Sequence, residues 1–150
     1  MQADSTFPFI ARAVRLVGAL FPTLLLAQTL DFDAYRAKVE PIFLKKRPDH
    51  ARCVSCHVAA LSRFRLEMLA DGQTEWTPAQ SRLNFQVVSQ LVNFKDVLAS
   101  PLLKHPLAEA AGGDPAHSGG EQFQTRDDPD WKTIEAWIRM AIRAPNNDAK

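Results

Sequence analysis

Both cysteines of the 150-residue chain lie in one short motif, Cys53-Val54-Ser55-Cys56-His57. Two thiols at this spacing can each form a thioether with one vinyl group of the same porphyrin, and the adjoining histidine can offer a ring nitrogen to the iron. The pattern is the attachment signature of a c-type haem. The motif therefore predicts one covalently bound haem c, held by Cys53 and Cys56, with His57 as the proximal iron ligand.

Three other interpretations use the same residues. A C-x-x-C pair serves thiol redox chemistry in thioredoxin-like proteins, but there it follows a strand of a βαβ unit, and no alternating strand pattern leads into Cys53. A zinc site would recruit His57 and need a second cluster of cysteines or histidines at ligand spacing, which the sequence lacks. A disulfide between Cys53 and Cys56 is compatible with an exported chain.

The iron also needs a ligand on its second face, and residues 101–127 contain two histidines. His117 precedes Ser118-Gly119-Gly120, where glycines let the backbone approach a flat macrocycle closely. His105 lies beside Pro106 among leucines, which favours a packed turn and a structural role. We predict His117 as the distal iron ligand, with His105 as the alternative.

Three more side chains are weaker candidates for the distal position. Met68 lies among leucines, which predicts a core methionine that fills a gap. Met140 falls on the flank of a predicted terminal helix, and His50 is predicted to be a surface histidine. A second imidazole generally gives a lower reduction potential than a thioether, so the His57 and His117 pair predicts a low-spin, comparatively low-potential haem.

The secondary-structure elements that must position these residues are predicted to be helices. The predicted fold class is therefore all-α. Apolar residues recur at three- and four-residue steps, and no strand pattern or internal repeat is evident. Asp31 or Asp33, Thr77 and Asp128 are the predicted N-caps, and Pro41 should kink the first helix or start a second turn. Helices are predicted over 31–46, 61–69, 78–99 and 129–143, and 101–127 is predicted to be a long loop.

The amino terminus predicts export. Arg12 and Arg15 precede an apolar run over 16–27, which has the length of a secretory signal rather than a membrane span. We therefore divide the chain into a signal peptide, 1–27, and one domain, 28–150, destined for the periplasm. An uncleaved inner-membrane anchor is the alternative, and a buried core helix is less favoured because of the basic residues upstream.

Composition and charge agree with one globular domain. The chain is 46% hydrophobic and 23% charged. Removing 1–27 takes away one acidic and two basic residues, so the 17 acidic and 18 basic residues of the full chain become 16 and 16. A formally neutral chain offers no general field for nucleic acid or an anionic membrane.

The order of these features resembles a small monohaem class I cytochrome c, and more closely a bacterial branch of cytochrome c domains. The resemblance spans most of 31–143 and is carried by the haem motif and by the segments 39–43, 100–107, 117–120 and 130–138. It implies a cytochrome c-like fold of about four helices around one haem c. The chain departs from common class I proteins because its distal loop contains no methionine.

These features together predict an exported electron carrier rather than an enzyme. It would pass single electrons as a shuttle or as a subunit of a larger membrane or surface redox complex, with redox proteins as partners and no nucleic acid or small-molecule substrate. One alternative is a peroxidase-like enzyme with a labile sixth position and Arg126 on the distal side. Another is a haem-based sensor in which exchange of His117 moves the 101–127 loop.

Overall fold

A computed structural model describes residues 28–58, 63–115, 117 and 119–143, so the predicted signal segment 1–27 lies outside the described residues. Within them the chain is helical, and one isolated parallel bridge between Leu107 and Phe123 is its only β pairing. The all-α prediction is confirmed. None of the described helices is both long and apolar enough to cross a membrane.

The helices are α1 Phe32–Ala34, a π-helical turn Tyr35–Val39, α2 Glu40–Leu44, α3 Cys53–His57, α4 Pro78–Ser89, a 3₁₀ turn Val97–Ala99, α5 Pro101–Lys104, a second 3₁₀ turn Glu109–Ala111 and α6 Pro129–Arg143.

The first three elements form one continuous helical run. Asp31 caps it, since its side chain accepts a hydrogen bond from the Ala34 backbone N–H at 2.8 Å. Pro41 lies in the first turn of α2, and just before it the Glu40 N–H bonds to the Tyr35 carbonyl across the wider π-helical step. Because proline has no N–H and its ring crowds the preceding turn, a regular α-helix is difficult to maintain here. The predicted second turn at Pro41 is confirmed.

The long helix predicted over 78–99 is wrong in its second half. Thr77 caps α4 as predicted, but the helix ends at Ser89. The Asn93 side chain then accepts hydrogen bonds from the backbone of Lys95 at 3.0 Å and of Asp96 at 3.1 Å. Such local side-chain bonds give the backbone an alternative to the helix and turn the chain away.

The helix predicted over 61–69 is also wrong where the structure describes it, from residue 63 onward. The backbone N–H of Leu66 bonds to the His57 carbonyl, and that of Glu67 bonds to the Asn84 side chain, so these groups have partners outside the segment. Because this segment is not helical, Met68 is not directed into the core, and 69% of its surface is exposed. Its predicted role as a core methionine is therefore wrong.

The loop predicted over 101–127 contains α5, a 3₁₀ turn and the bridge between Leu107 and Phe123. The Ala108 N–H donates to the Phe123 carbonyl at 2.8 Å, and the Phe123 N–H donates to the Pro106 carbonyl at 3.0 Å. These bonds join the two ends of the segment that carries His117. The prediction of a loop without its own structure was wrong in this respect.

The terminal helix α6 is confirmed and forms one wall of the core. Asp128 accepts hydrogen bonds from the backbone of Asp130 and Trp131, which caps the helix. The Trp131 indole donates to the Leu103 carbonyl at 3.1 Å, and the Trp137 indole donates to the Asp31 carbonyl at 2.9 Å. The helix thus anchors both the first helical run and α5. Its buried face consists of Trp131, Ile134, Trp137, Ile138 and Ala141.

Arg47 ties the segment before α3 to the start of α6. Its guanidinium is mostly buried, bonds to both carboxylate oxygens of Asp128 at 2.8 and 3.2 Å, reaches Asp130, and lies 4.7 Å from the centre of the Phe123 ring. Burial alone would raise the pKa of Asp128, but hydrogen bonds from Arg47 and from the α6 backbone hold it below its usual value. The interactions of Asp128 therefore stabilise the fold fully at pH values above the ordinary pKa of aspartate. This contribution is lost as the pH falls through the lowered pKa of Asp128.

Replacing Arg47 with methionine should lower the free energy of unfolding by about 2–3 kcal/mol at neutral pH, because the mostly buried Asp128 carboxylate loses its ion-pair partner and Asp130 keeps Lys45 alone of its two. Urea unfolding of both proteins measures the difference, which should shrink below about pH 4 as Asp128 protonates. Lys45→Met is the control: its amine is half exposed and also pairs with Asp130, so the loss should stay below about 1 kcal/mol. Equal losses in the two variants would contradict the role given to Arg47.

Candidate functional site

Helix α3 is a single turn that carries the whole C-x-x-C-H motif. Cys53, Cys56 and His57 stand at relative positions one, four and five of the turn, so their side chains share a face. Val54 points the other way and is buried in the core. Cys53 is half-buried and Cys56 exposed, and both thiols are free rather than joined in a disulfide.

This face of α3 opens onto a cavity of about 660 Å³. Cofactor sites in proteins typically span about 300–1,000 Å³ and are lined mainly by apolar side chains. Both cysteines, His57, His105 and His117 line the cavity, so the structure brings together all residues of the predicted site and its alternative ligand. The apolar residues of the wall are Ile42, Phe43, Phe64, Leu91, Leu102, Phe123 and Ile134.

The imidazoles of His57 and His117 face each other across this cavity. Their ring centres are 6.3 Å apart and their planes differ by 14°. Each ring is fixed through Nδ1: that of His57 lies 2.7 Å from the Phe64 carbonyl, and that of His117 lies 2.6 Å from the Gly120 carbonyl. A carbonyl can only accept, so each Nδ1 carries the proton and Nε2 is the metal-binding nitrogen of each ring.

The ring separation matches two imidazoles bound to one metal ion from opposite sides. An imidazole-to-metal bond is about 2.0 Å long, and an atom of a five-membered ring with bonds of about 1.33 Å lies about 1.1 Å from the ring centre. Two rings on one metal ion therefore have centres about 6.2 Å apart. The observed 6.3 Å agrees with this value.

A glycine turn holds the His117 ring in place. Gly120 has a φ of 83°, a left-handed conformation that favours glycine, and its N–H donates to the His117 carbonyl at 3.0 Å. This turn brings the Gly120 carbonyl to the His117 Nδ1. A Cβ on Gly119 would meet the His117 ring at 3.4 Å, an ordinary contact. The glycines thus shape the turn that orients the ligand, a role the sequence did not suggest.

The environment of His57 favours its neutral form. Burial lowers the pKa of this imidazole and the neighbouring His117 lowers it further, while the hydrogen bond to the Phe64 carbonyl opposes both effects. Phe64 also packs against the ring, with centres 4.4 Å apart. Neutral imidazole is the form that binds a metal ion, so the site is prepared for coordination.

The Cys53 thiol does not have the properties of a redox nucleophile. Burial raises its pKa to about 11, although a backbone hydrogen bond and the charge of Arg47 act in the opposite direction. The attacking cysteine of thioredoxin-like motifs instead has a lowered pKa. This environment does not favour the thioredoxin-like interpretation.

The other candidates have different surroundings. His105 lines the cavity, but its Nδ1 lies 2.7 Å from the Asp114 carboxylate and 54% of its side chain is exposed. His50 is half-buried beside Gly120, rather than exposed as predicted. Met140 is 42% exposed, as expected of a flank position. Arg126 is exposed and donates to the Ala111 carbonyl, and it does not line the cavity.

Sequence reasoning missed three groups that build the site. Two are the backbone carbonyls of Phe64 and Gly120, which have no residue-type signature. The third is Gly113, where a Cβ would lie 1.7 Å from the Leu107 carbonyl oxygen. The Gly112-Gly113 pair marked a loop in the sequence, but only the fold shows that this close approach requires glycine.

Comparisons with protein-family models, with curated proteins and with solved structures each find no match for this chain. In the part of the chain that the structure describes, no group of three or more histidine, cysteine, aspartate or glutamate side chains could hold a metal ion. The facing pair of imidazoles is the arrangement from which a function can be argued.

Proposed function

We propose that this chain is a monohaem c-type cytochrome that transfers single electrons. Cys53 and Cys56 would hold haem c through two thioethers, and His57 and His117 would bind its iron from opposite sides. The class I-like cytochrome c fold belongs to this proposal. One observation carries it: beside two free cysteines on the same helical turn, two imidazoles face each other at the separation expected for one shared metal ion.

The residues of the cavity have distinct roles in this proposal. The Phe64 and Gly120 carbonyls hold the two rings in the tautomer whose Nε2 can bind a metal ion, and such partners also raise the basicity of a ligand. The apolar wall excludes water and packs against the flat faces of the cofactor. The haem itself supplies a one-electron couple between ferric and ferrous iron.

Electron transfer fits this arrangement better than catalysis. A catalytic haem needs an open coordination position and polar side chains above it, whereas His117 would occupy that face and its ring is fixed by its own hydrogen bond. Arg126, which a peroxidase-like reaction would require near the iron, bonds to a backbone carbonyl outside the cavity. Export to the periplasm and docking to redox proteins complete the proposal and follow from the sequence analysis.

Production of the full chain in a bacterial host with haem-attachment machinery tests the function. We expect a product whose mass exceeds that of the mature polypeptide by one haem, whose colour survives denaturation, and whose spectrum changes on reduction. The double variant Cys53→Ala/Cys56→Ala should lose all covalent haem, since no other cysteine exists. Ser55→Ala, at an exposed position of the same turn, is the matched control and should be loaded normally.

The opposite results would reject the proposal. A wild-type chain that leaves this host colourless, or haem that is lost on denaturation, would exclude a c-type cytochrome. Zinc at one equivalent per chain, lost with either cysteine, would instead favour the metal-site interpretation.

A further inference from the structure

Four buried polar side chains lie between the first helical run and α4, outside the cavity wall. Tyr35, Ser81 and Asn84 are fully buried, and 5% of Glu40 is exposed. We call these four residues the buried polar cluster. Burying polar groups is unfavourable unless each finds a partner, so such a cluster in the core of a small protein calls for an explanation.

The hydrogen bonds of the buried polar cluster are incomplete. Glu40 Oε1 accepts a hydrogen bond from the Ser81 hydroxyl at 2.7 Å, and Asn84 Oδ1 accepts one from the Glu67 backbone at 2.7 Å. Among the described residues, the Tyr35 hydroxyl, Glu40 Oε2 and Asn84 Nδ2 have no hydrogen-bond partner of normal geometry, although the Tyr35 hydroxyl is close enough to Glu40 to affect the pKa of its carboxyl. An internal water usually makes about three hydrogen bonds to otherwise unsatisfied groups, which is the number available here.

The charges around Glu40 favour its acid form. Burial raises the pKa of this carboxyl the most. The Ser81 hydrogen bond, the charge of Arg36 and the approach of the Tyr35 hydroxyl lower it, and the charge of Glu75 raises it. Arg36 and Glu75 are both exposed, and Ser81 and Asn84 on the facing helix α4 carry no charge. In the described part of the chain no ion pair reaches Glu40, so neutralisation by a proton is the available way to relieve its burial.

Aromatic rings connect this cluster to the cavity. The ring centres of His57 and Phe64 are 4.4 Å apart, those of Phe64 and Phe43 are 5.1 Å apart, and those of Phe43 and Tyr35 are 6.5 Å apart. The His57 and Tyr35 rings therefore lie no more than about 16 Å apart, a distance over which charges still interact through a protein interior. Phe43 and Tyr35 on this route are buried, so bulk solvent screens the interaction weakly.

We propose that the buried polar cluster is a proton-binding site with one ordered water, and that Glu40 takes up a proton when a haem bound at His57 is reduced. The inference rests on the proposed function. One electron comes from a donor protein to the iron, one proton moves from solvent water to the Glu40 carboxylate, and both leave on oxidation. An extra negative charge at a distance on the order of 16 Å, the upper bound between the His57 and Tyr35 rings, should raise the proton affinity of Glu40 about fivefold at an effective dielectric constant of about 20.

The test is the midpoint potential of the loaded protein as a function of pH. The potential should fall with rising pH only between the pKa of Glu40 in the oxidised and in the reduced protein, and stay level on either side. Glu40→Gln should give a level curve at the potential of the acid plateau, because glutamine mimics the neutral acid. Glu109→Gln removes the same charge from an exposed position, so it should keep the pH-dependent window.

A second variant separates titration of Glu40 from a structural effect. Ser81→Ala keeps the carboxyl but removes a hydrogen bond that lowers its pKa, so the window should move to higher pH. Infrared difference spectra should show the carbonyl band of a protonated carboxylic acid gaining intensity on reduction, and Glu40→Gln should lack it. Both measurements remain informative if Glu40→Gln fails to fold.

Two results would overturn the inference while the proposed function stands. One is a normal haem spectrum with a potential that does not change with pH. The other is a pH-dependent window that survives in Glu40→Gln or stays in place in Ser81→Ala, which would assign the proton to another group such as His105 or Asp114. Failure of the chain to bind haem would overturn both proposals and is recognised at once from the missing haem spectrum.

Discussion

In the proposed cytochrome, His117→Ala should convert the ferric form from low spin to high spin, because the proposed distal ligand is removed while His57 stays in place. Carbon monoxide should then bind the reduced protein at least about 100-fold faster, since no imidazole has to leave first. Added imidazole should restore the low-spin spectrum. Absorption and electron paramagnetic resonance spectra of the oxidised protein, with mixing experiments on the reduced one, measure these changes.

His105→Ala is the matched control, since it removes the other histidine of the cavity wall. The His105 ring is half exposed and lies against Asp114, so its removal should leave the low-spin spectrum and slow carbon monoxide binding unchanged. A near-infrared methionine-to-iron charge-transfer band in the wild type would reject His117 as the ligand. So would a low-spin spectrum that persists in His117→Ala and disappears in His105→Ala.

Gly113→Ala should have the second large effect, although Gly113 does not line the cavity. A Cβ at this position would lie 1.7 Å from the Leu107 carbonyl oxygen, 2.4 Å from its carbon and 2.9 Å from the Ala108 oxygen. These are backbone atoms that cannot rotate away, so the segment has to separate at a cost of about 3 kcal/mol or more. We expect a lower midpoint of thermal unfolding and a partly high-spin ferric spectrum.

Two other glycines provide controls for this prediction. Gly72→Ala introduces a side chain at a φ of 76° with nothing within 4 Å, so it should cost about 1–2 kcal/mol and leave the spectrum unchanged. Gly119→Ala lies in the distal loop itself but makes only an ordinary contact with His117, and should also keep the low-spin state. If all three variants behave alike, the close approach at Gly113 does not hold the loop.

The sequence predicted the helices whose ends carry local signals. Asp31, Thr77 and Asp128 are side-chain caps that act within three residues, and the stripe of Trp131, Ile134 and Trp137 defines a helix face, so α1, α4 and α6 begin where expected. It failed over 63–69, where the backbone bonds to the distant His57 carbonyl and Asn84 side chain. It also failed after Ser89, because the helical periodicity continues to residue 99 while the Asn93 side chain bonds to the local backbone and turns the chain.

The sequence predicted the residue types of the candidate site but not the backbone groups that hold them in place. The spacing of Cys53, Cys56 and His57 specifies a chemistry, and the structure places His117 opposite His57. What fixes the two rings is a pair of backbone carbonyls, and every residue has a carbonyl. Which carbonyl reaches a given Nδ1 depends on the tertiary path of the chain. Glu40 was missed for a similar reason, since only the fold places its carboxyl against Ser81 of α4.

The bridge between Leu107 and Phe123 has a consequence for ligand exchange. Because both ends of the His117 segment are joined, an imidazole that leaves the iron of the proposed cytochrome would stay confined within a short closed loop, at a high effective concentration beside it. A diffusible molecule such as carbon monoxide or cyanide has to compete with that tethered ring. Breaking the bridge would leave every iron ligand in place and still shorten the time needed for an outside ligand to replace His117.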